Sequence, residues 1–432
     1  MDTIFALSSG APPAAIGVIR ISGVDAAEAA RRFVAPAGSL PEPRRAVLRR
    51  LYDPDTKMLL DEALLLWFRA PHSATGEDLV ELHVHGGRAV VDAVQGALAR
   101  QAGLRHAEPG EFTRRALMAG RMDLTQAEGL GDLLTAQTEA ARVAAMGTMR
   151  GTVRHAAEAW QAALLALAAR VEAVLDHADE DDVEEERELA AVRSGTADLA
   201  ADMGSRLDNP PVERLQEGVR VILAGPPNSG KSTLLNRMSE QEAAIVSPIA
   251  GTTRDRIDVA LRRAGKAFVF TDTAGLVDAT DDPIERIGIE RSKDAIGRAD
   301  IIVWLGDGPP PDAAAEILKI HSRADEAGRG DAPSDRISVS AVTGQGIDAL
   351  WRAIEKTAAS LLPRLDVLVL NRRQRSLLEE ARVALTAVAG VEDPLVLAEQ
   401  LRLAMRSIDR VTGKADVEAM LDSLFSRFCI GK

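Results

Sequence analysis

The chain is poor in cysteine and in aromatic residues, and its positive charges are outnumbered by acidic ones; each of these features removes a class of protein. Its single cysteine, Cys429, has no internal partner, so the disulfide framework of a small secreted scaffold is excluded. Aromatic residues make up 3% of the 432 positions. Cores must therefore be assembled largely from Ala, Leu and Val, a composition that favours helices outside any strand-rich segment. No apolar run approaches the ~20 residues that cross a bilayer. The amino terminus also lacks a basic-then-apolar export segment, so the expected compartment is the cytoplasm, with no membrane partner. The formal net charge is −13. Such a chain exerts no long-range attraction on nucleic acid, and RNA would have to meet a local basic surface or a second protein. Residues 1–118 hold 14 Lys/Arg and 14 Asp/Glu, so the acidic excess lies entirely downstream. Part of it is the run Asp176–Glu188, read as a solvated helix end or loop.

What is present points to several domains of mixed class, because a chain of this length exceeds one hydrophobic core. Residues 1–118 alternate short apolar runs with turns, the pattern of a small α/β domain with strands at Ile16–Ile21, Glu62–Phe68 and Leu79–Val84 and a helix at Val90–Arg100. From 119 to 216 the period is helical, as in Ala156–Leu175, until Asn209-Pro210-Pro211 interrupts it. A third segment, 217–362, alternates strands and helices, and Pro363 follows it. Helical periodicity resumes over 363–432. An α/β domain set between two helical flanks is expected to be an insertion into one helical domain.

The inserted segment carries the most specific chemistry. After the apolar run Val219–Ala224 comes Gly225-Pro-Pro-Asn-Ser-Gly-Lys-Ser232, and then a helical stretch from Thr233. This strand–loop–helix order makes a phosphate cradle: Asn228, Ser229, Gly230 and Thr233 offer backbone N–H groups, Lys231 a point charge and Ser232 a hydroxyl for Mg²⁺. Thr253, in Gly251-Thr252-Thr253, can close the Mg²⁺ shell. Asp272-Thr273-Ala274-Gly275 follows the strand Ala267–Thr271 and suits a metal-bound water and a γ-phosphate. Ser340-Ala341, after Arg336–Val339, suits a guanine edge. These elements stand in GTPase order. The base-reading element Asn-Lys-x-Asp is altered to Ser322-Arg323-Ala324-Asp325. Asp325 can accept from guanine N1–H and N2–H₂, but Ser322 is shorter than the usual Asn. Leu276 stands where Ras-like enzymes place a water-orienting Gln. Asn228 and the segment Ala244–Asp255 suggest instead a monovalent cation that neutralises developing charge.

These residues, with Glu285–Glu290 (Glu-Arg-Ile-Gly-Ile-Glu) and the terminal Phe428-Cys-Ile-Gly-Lys432, closely resemble the potassium-dependent tRNA-modification GTPases of the MnmE (TrmE) family. The likeness extends to Val18–Gly23, Pro71–Asp78, Glu81–Gly87, Pro109–Thr113 and Asp123–Glu128. It implies a folate-binding and dimerising amino-terminal domain, an α-helical central domain and an inserted Ras-like P-loop domain. It further implies K⁺ held by Asn228, Ser247, Ile249 and Thr252, and Mg²⁺ held by Ser232 and Thr253. GTP would lie against Ser247, Pro248, Ile249, Ala250, Gly251 and Thr252, and Glu285 would orient the attacking water. A tetrahydrofolate one-carbon derivative of the 5-formyl or methylene type would meet Arg20, Glu81, Arg121 (in place of the family's usual Lys) and Lys432. Cys429, on a terminal tail expected to be mobile, would carry or activate the one-carbon unit. The family acts as a homodimer with a flavoprotein, MnmG (GidA), which holds the FAD. Together they place an aminomethyl-type group on carbon 5 of the wobble uridine, position 34 of tRNA.

Two rival readings share parts of this pattern. A ribosome-assembly GTPase switch would have the same nucleotide motifs without the amino-terminal blocks or the terminal Cys-Ile-Gly-Lys. A folate-binding scaffold with a decayed GTPase is supported only by the altered element Ser322–Asp325, and intact Lys231, Thr253, Asp272 and Glu285 weigh against it. The pair His83-x-His85 shares one strand face as metal ligands can, but with no third ligand nearby both are read as structural.

Overall fold

The structure, a computed structural model, describes residues 2–34, 39–176, 182–240, 243–244, 258–272, 296–415, 421, 424–426 and 428–431. It divides into two compact units, Met1–Gly131 with Asp409–Lys432, and Asp132–Ile408.

The first unit is built on a six-stranded sheet in the order β3-β4-β5-β2-β1-β6. Its strands are β1 (Thr3–Leu7), β2 (Ile16–Ser22), β3 (Val47–Tyr52), β4 (Leu59–Phe68), β5 (Leu79–His85) and β6 (Leu104–His106). All neighbours are antiparallel except β1 and β6. Alternation along the strands sends Phe5, Ile19, Ile21, Leu65, Val80 and Leu82 to one face. There they pack under the helices Ala26–Arg31 and Arg88–Ala99, the latter presenting Val91, Val94 and Leu98 at helical spacing. The opposite face covers a smaller cluster, Ile4, Ala6, Leu79, Ala107 and Phe112, the last from helix Glu111–Met118.

A buried ionic network holds that helix in place. Arg115 donates to the Asp2 carbonyl at 2.8 Å, to Glu77 Oε2 at 3.0 Å and to Glu111 Oε1 at 3.0 Å. Ser22 Oγ reaches the same Glu77 oxygen at 2.9 Å. The segment Pro71–Asp78 and the helix are thereby tied to the sheet through charge-assisted bonds that would be costly to break.

The carboxyl-terminal segment returns to this unit. Phe425 and Phe428 pack with Leu124 and Leu421, and Ile430 forms an antiparallel bridge with Pro109. Gly431 has φ +94°, and a Cβ there would lie 2.2 Å from the Leu7 carbonyl oxygen. Only glycine allows the chain to lie this close to β1.

The second unit contains a seven-stranded sheet in the order β13-β12-β11-β7-β10-β9-β8. These are β7 (Val219–Ala224), β8 (Ala243–Ala244), β9 (Asp258–Arg263), β10 (Lys266–Asp272), β11 (Ile301–Trp304), β12 (Glu316–Ser322) and β13 (Ile337–Val339). Strands β10, β7, β11, β12 and β13 run parallel, and β9 and β8 complete an antiparallel edge. The central strands are nearly continuous in apolar residues because both of their faces are covered. Phe268 and Phe270 share one face of β10 and meet the Trp351 ring edge-on, at centroid distances of 5.5 and 5.4 Å. Trp351 belongs to helix Ile347–Leu361.

Around this α/β layer the same unit has long helices, Thr152–Asp176 packing on Asp182–Leu207, and Arg372–Ala387 also packing on Asp182–Leu207. Segments from before and after the α/β layer thus form one helical body, as expected of an insertion. The chain's entry and exit are stitched together: Asn209 bonds Arg364 and Leu368, and Val212 N–H donates to the Leu370 carbonyl at 3.0 Å. Among the described residues, no helix is long and apolar enough to cross a membrane.

Candidate functional site

Strand β7 has parallel neighbours on both sides, β10 and β11. In chain order the next parallel strand, β10, lies on one side of it and the one after, β11, on the other, so the crevice beyond its carboxyl end is the topological switch point where ligands of open α/β sheets bind. The chain turns there through Gly225–Gly230 and enters helix Lys231–Glu240. Asn228 holds φ +59° and Gly230 φ +93°, left-handed positions that curl the backbone and turn successive N–H groups inward.

Lys231 is 7% exposed, and its Nζ donates to the carbonyls of Gly225 at 3.1 Å and Pro226 at 3.0 Å. Burial pulls its ammonium below the ordinary lysine value, and the Asp272 charge opposes that shift. The cation is thus held at the mouth of the loop, with little water to screen it. Ser229 Oγ is buried and has no partner among the described residues.

Ser232 Oγ donates to Asp272 Oδ2, which stands at the end of β10. The other carboxylate oxygen, Asp272 Oδ1, is buried without a partner among the described residues. A hydroxyl beside a carboxylate with an unsatisfied oxygen is a hard-oxygen donor pair that fits Mg²⁺.

One cleft of about 480 Å³ joins this loop to the ends of the neighbouring strands. It is lined by Asn228, Ser229, Gly230, Lys231, Ser232 and Thr233 at one end, and by Ser322, Arg323, Asp325 and Ala341 at the other. Leu305, Ile320, Val339 and Val342 supply apolar walls between them. A phosphate end, apolar walls and a carboxylate end suit a purine nucleotide in polarity. Ser340 is fully buried; its Oγ accepts from Thr343 N–H at 3.0 Å and its N–H donates to the Gln345 carbonyl. It shapes the turn that presents Ala341 to the cleft.

The first unit brings two more expected residues together. Arg20 on β2 lies directly opposite Glu81 on β5, with Nε 2.8 Å from Oε1, and His83 Nε2 lies 3.0 Å from Glu81 Oε2. Burial works against the Glu81 charge, but the His83 hydrogen bond and the Arg20 guanidinium outweigh it and hold the carboxyl below its ordinary value. Across the sheet the row reads Ala6, Arg20, Glu81, Leu66. His85 pairs with Asp61 instead, at 2.7 Å. Each histidine thus has its own carboxylate, and no group of three metal ligands occurs among the described residues.

Arg121 is exposed, with its stem beside Gly76. Cys429 is exposed as well, but its neighbours are held: Ile430 bridges Pro109, and Gly431 lies against β1. The mobile tail expected from the sequence is docked over residues 428–431, because strand-like pairing and the contact allowed by a glycine fix its backbone. Ser247, Pro248, Ile249, Ala250, Gly251, Thr252, Thr253, Thr273, Ala274, Gly275, Glu285 and Lys432 lie outside the described residues.

Sequence reasoning missed Leu305, Val339 and Val342 as cleft walls. The positions of Leu305 and Val339 at the carboxyl ends of parallel strands were a usable signal. The bond from Arg329 Nε to the Ser322 carbonyl, 3.0 Å, spans a loop and had none.

A family model described as the GTP-binding protein TrmE N-terminus matches residues 3–121, and one described as the MnmE helical domain matches residues 124–429. The tRNA modification GTPase MnmE of Erythrobacter litoralis is 52% identical over 434 residues, covering 100% of both chains. The protein of the same name from Zymomonas mobilis is 51% identical over 437 residues, again covering 100% of each. Among solved structures, a variant of Era from Aquifex aeolicus is 23% identical over 41% of this chain and 70% of its own, with a TM-score of 0.27, too slight a likeness to carry any argument.

Proposed function

Since the chain belongs to the MnmE family of tRNA modification GTPases, we propose that it hydrolyses GTP in the service of tRNA modification. The observation that carries this reading is the cleft that unites the phosphate loop with Ser322–Asp325 and Ala341. Lys231 and the loop N–H groups hold the phosphates, and Asp325 accepts from the guanine edge. Ser232 and Asp272, with Thr253, would hold Mg²⁺ directly or through water. Asn228, with Ser247, Ile249 and Thr252, would hold K⁺. When bound, the two cations offset the charge that builds on the phosphate oxygens in the transition state. Glu285 orients the attacking water.

In the same reading, the first unit binds a one-carbon tetrahydrofolate. Arg20 supports the folate's charged or carbonyl groups, Glu81 accepts from the pterin N–H edge, and Arg121 and Lys432 complete the pocket. The ionised state of Glu81, favoured by Arg20 and His83, is the form that accepts two N–H donors. A folate held there would be the source of the one-carbon unit for position 5 of uridine 34, and Cys429, on the docked tail, is the residue of this chain proposed to assist. A homodimer of this chain, joined by the FAD-bearing MnmG partner in the cytoplasm, completes the assignment.

Steady-state GTP hydrolysis in matched KCl and NaCl, with ATP as control and Glu285→Ala beside the parent, tests the mechanism. The expected result is K⁺ activation that is selective for GTP and lost in the variant. Equal slow rates in both salts would remove the cation mechanism and favour a simple switch.

A further inference from the structure

The base-reading loop departs from its usual form at Ser322, and the structure shows what holds the loop in its place. Ser322 ends β12 and is 7% exposed, and its hydroxyl is too short to brace the turn that follows. The next residue, Arg323, is a non-glycine at φ +59°, a conformation that persists only where neighbouring bonds enforce it. Two such bonds are present. Ala324 N–H donates to the Val339 carbonyl at 3.2 Å on one side. On the other, Arg329 Nε donates to the Ser322 carbonyl at 3.0 Å.

Arg329 is itself fixed. Its two terminal nitrogens donate to the Asp307 carboxylate at 2.8 and 2.9 Å, a fork that sets the plane of the guanidinium. Arg336 then ties Asp307 down by donating to its carbonyl at 2.8 Å, and also donates to the carbonyls of Gly306 and Ile320. The loops after β11 and β12 are thus one braced unit, and Asp325 projects from it into the cleft.

We propose that Arg329, anchored by Asp307, is a positioning residue for guanine recognition that compensates for the serine at position 322. It does not line the cleft; it acts by gripping the Ser322 carbonyl, which sets the turn and hence the aim of Asp325. The inference rests on Asp325 as the guanine acceptor.

The test measures affinity for a fluorescent GDP and kcat at saturating GTP on the full chain. Arg329→Gln should weaken GDP binding about tenfold and leave kcat at saturation within about twofold, because ground-state base binding alone is disturbed. Arg329→Lys should behave similarly, since an ammonium cannot reproduce the fork. Ser322→Asn, which returns the longer side chain to the base-reading loop, should restore affinity in the Arg329→Gln background. A purely structural arginine would not show that rescue, and its absence overturns the proposal. So does unchanged GDP affinity in Arg329→Gln. If that variant melts early, Asp307→Asn reads the same quantity by removing the anchor from a largely exposed position. Asp325→Asn separates the two layers of inference, since an amide there should transfer preference from guanosine to xanthosine nucleotides. Failure of that transfer refutes the guanine assignment; success beside a silent Arg329→Gln refutes the positioning role alone.

Discussion

Replacing Asn209 by alanine removes one side chain that joins the two strands of chain passing between the helical body and the α/β layer. Asn209 is 8% exposed. Its Nδ2 donates to the carbonyls of Arg364 at 3.2 Å and Leu368 at 3.3 Å, and its Oδ1 accepts from Arg364 N–H at 2.9 Å. Each net bond contributes about 0.5–1.5 kcal/mol, and stranded backbone groups add to the loss, so the junction should weaken by about 2–4 kcal/mol. Other ties remain: Val212 still reaches the Leu370 carbonyl, and Arg372 still pairs with Glu217 at 2.8 Å. The junction should therefore loosen locally without the α/β layer unfolding. A chain of several domains need not unfold in two states, so a local readout is preferable to one global midpoint. Hydrogen exchange at the Arg364 amide supplies it, with an expected acceleration of about 30- to 1,000-fold under conditions where reclosing outpaces chemical exchange, so that the rate tracks the opening equilibrium. Asn209→Asp should be worse, because it loses both donors and sets a carboxylate beside two carbonyl oxygens. Exchange at Arg364 that stays within about threefold of the parent in Asn209→Ala would refute the view that this side chain closes the junction.

Two further perturbations follow from other parts of the molecule. Gly346 has φ +75° and a Cβ there would fall 1.9 Å from the Ser338 carbonyl oxygen, so Gly346→Ala should cost about 3 kcal/mol or more and lower the melting temperature of the nucleotide-binding layer, with GTP-dependent protection as the check. In the amino-terminal unit, burial opposes the charge of Glu111, but the Arg105 hydrogen bond and further donors hold its carboxyl below the ordinary value of 4.5. Its stabilisation is therefore complete above that value and is lost as pH falls through the lower folded-state value. Denaturant midpoints measured across that acid range should fall less steeply with pH in Glu111→Gln than in the parent.

Much of the nucleotide site is legible in the amino-acid sequence. Gly225–Ser232 is contiguous, its strand and helix flank it directly, and its chemistry depends on backbone conformations that those residue types prefer locally. Strand β7 matches the expected Val219–Ala224, and β5 and helix Arg88–Ala99 lie within a residue or two of expectation. Hydrophobic period is a short-range signal, so it survives without tertiary information. Cys429 shows the limit of that signal. A free cysteine near a terminus reads as either buried or mobile, whereas here it is exposed on a backbone held by Pro109 and Leu7.

By itself the sequence determined the α/β and helical character of each segment, the phosphate loop, the order of the motifs after it and the insertion of one layer into another. Each of these is encoded within a few residues or by their order along the chain. Tertiary structure alone decided that Arg20 would pair with Glu81, that Asn209 would close on Arg364, and that Arg329 would brace Ser322. Those contacts depend on sheet register, on the meeting of distant segments and on the path of a surface loop. Many partners are chemically equivalent in a list of residues, and only the packed cores around Phe5 and Phe268 select which of them meet.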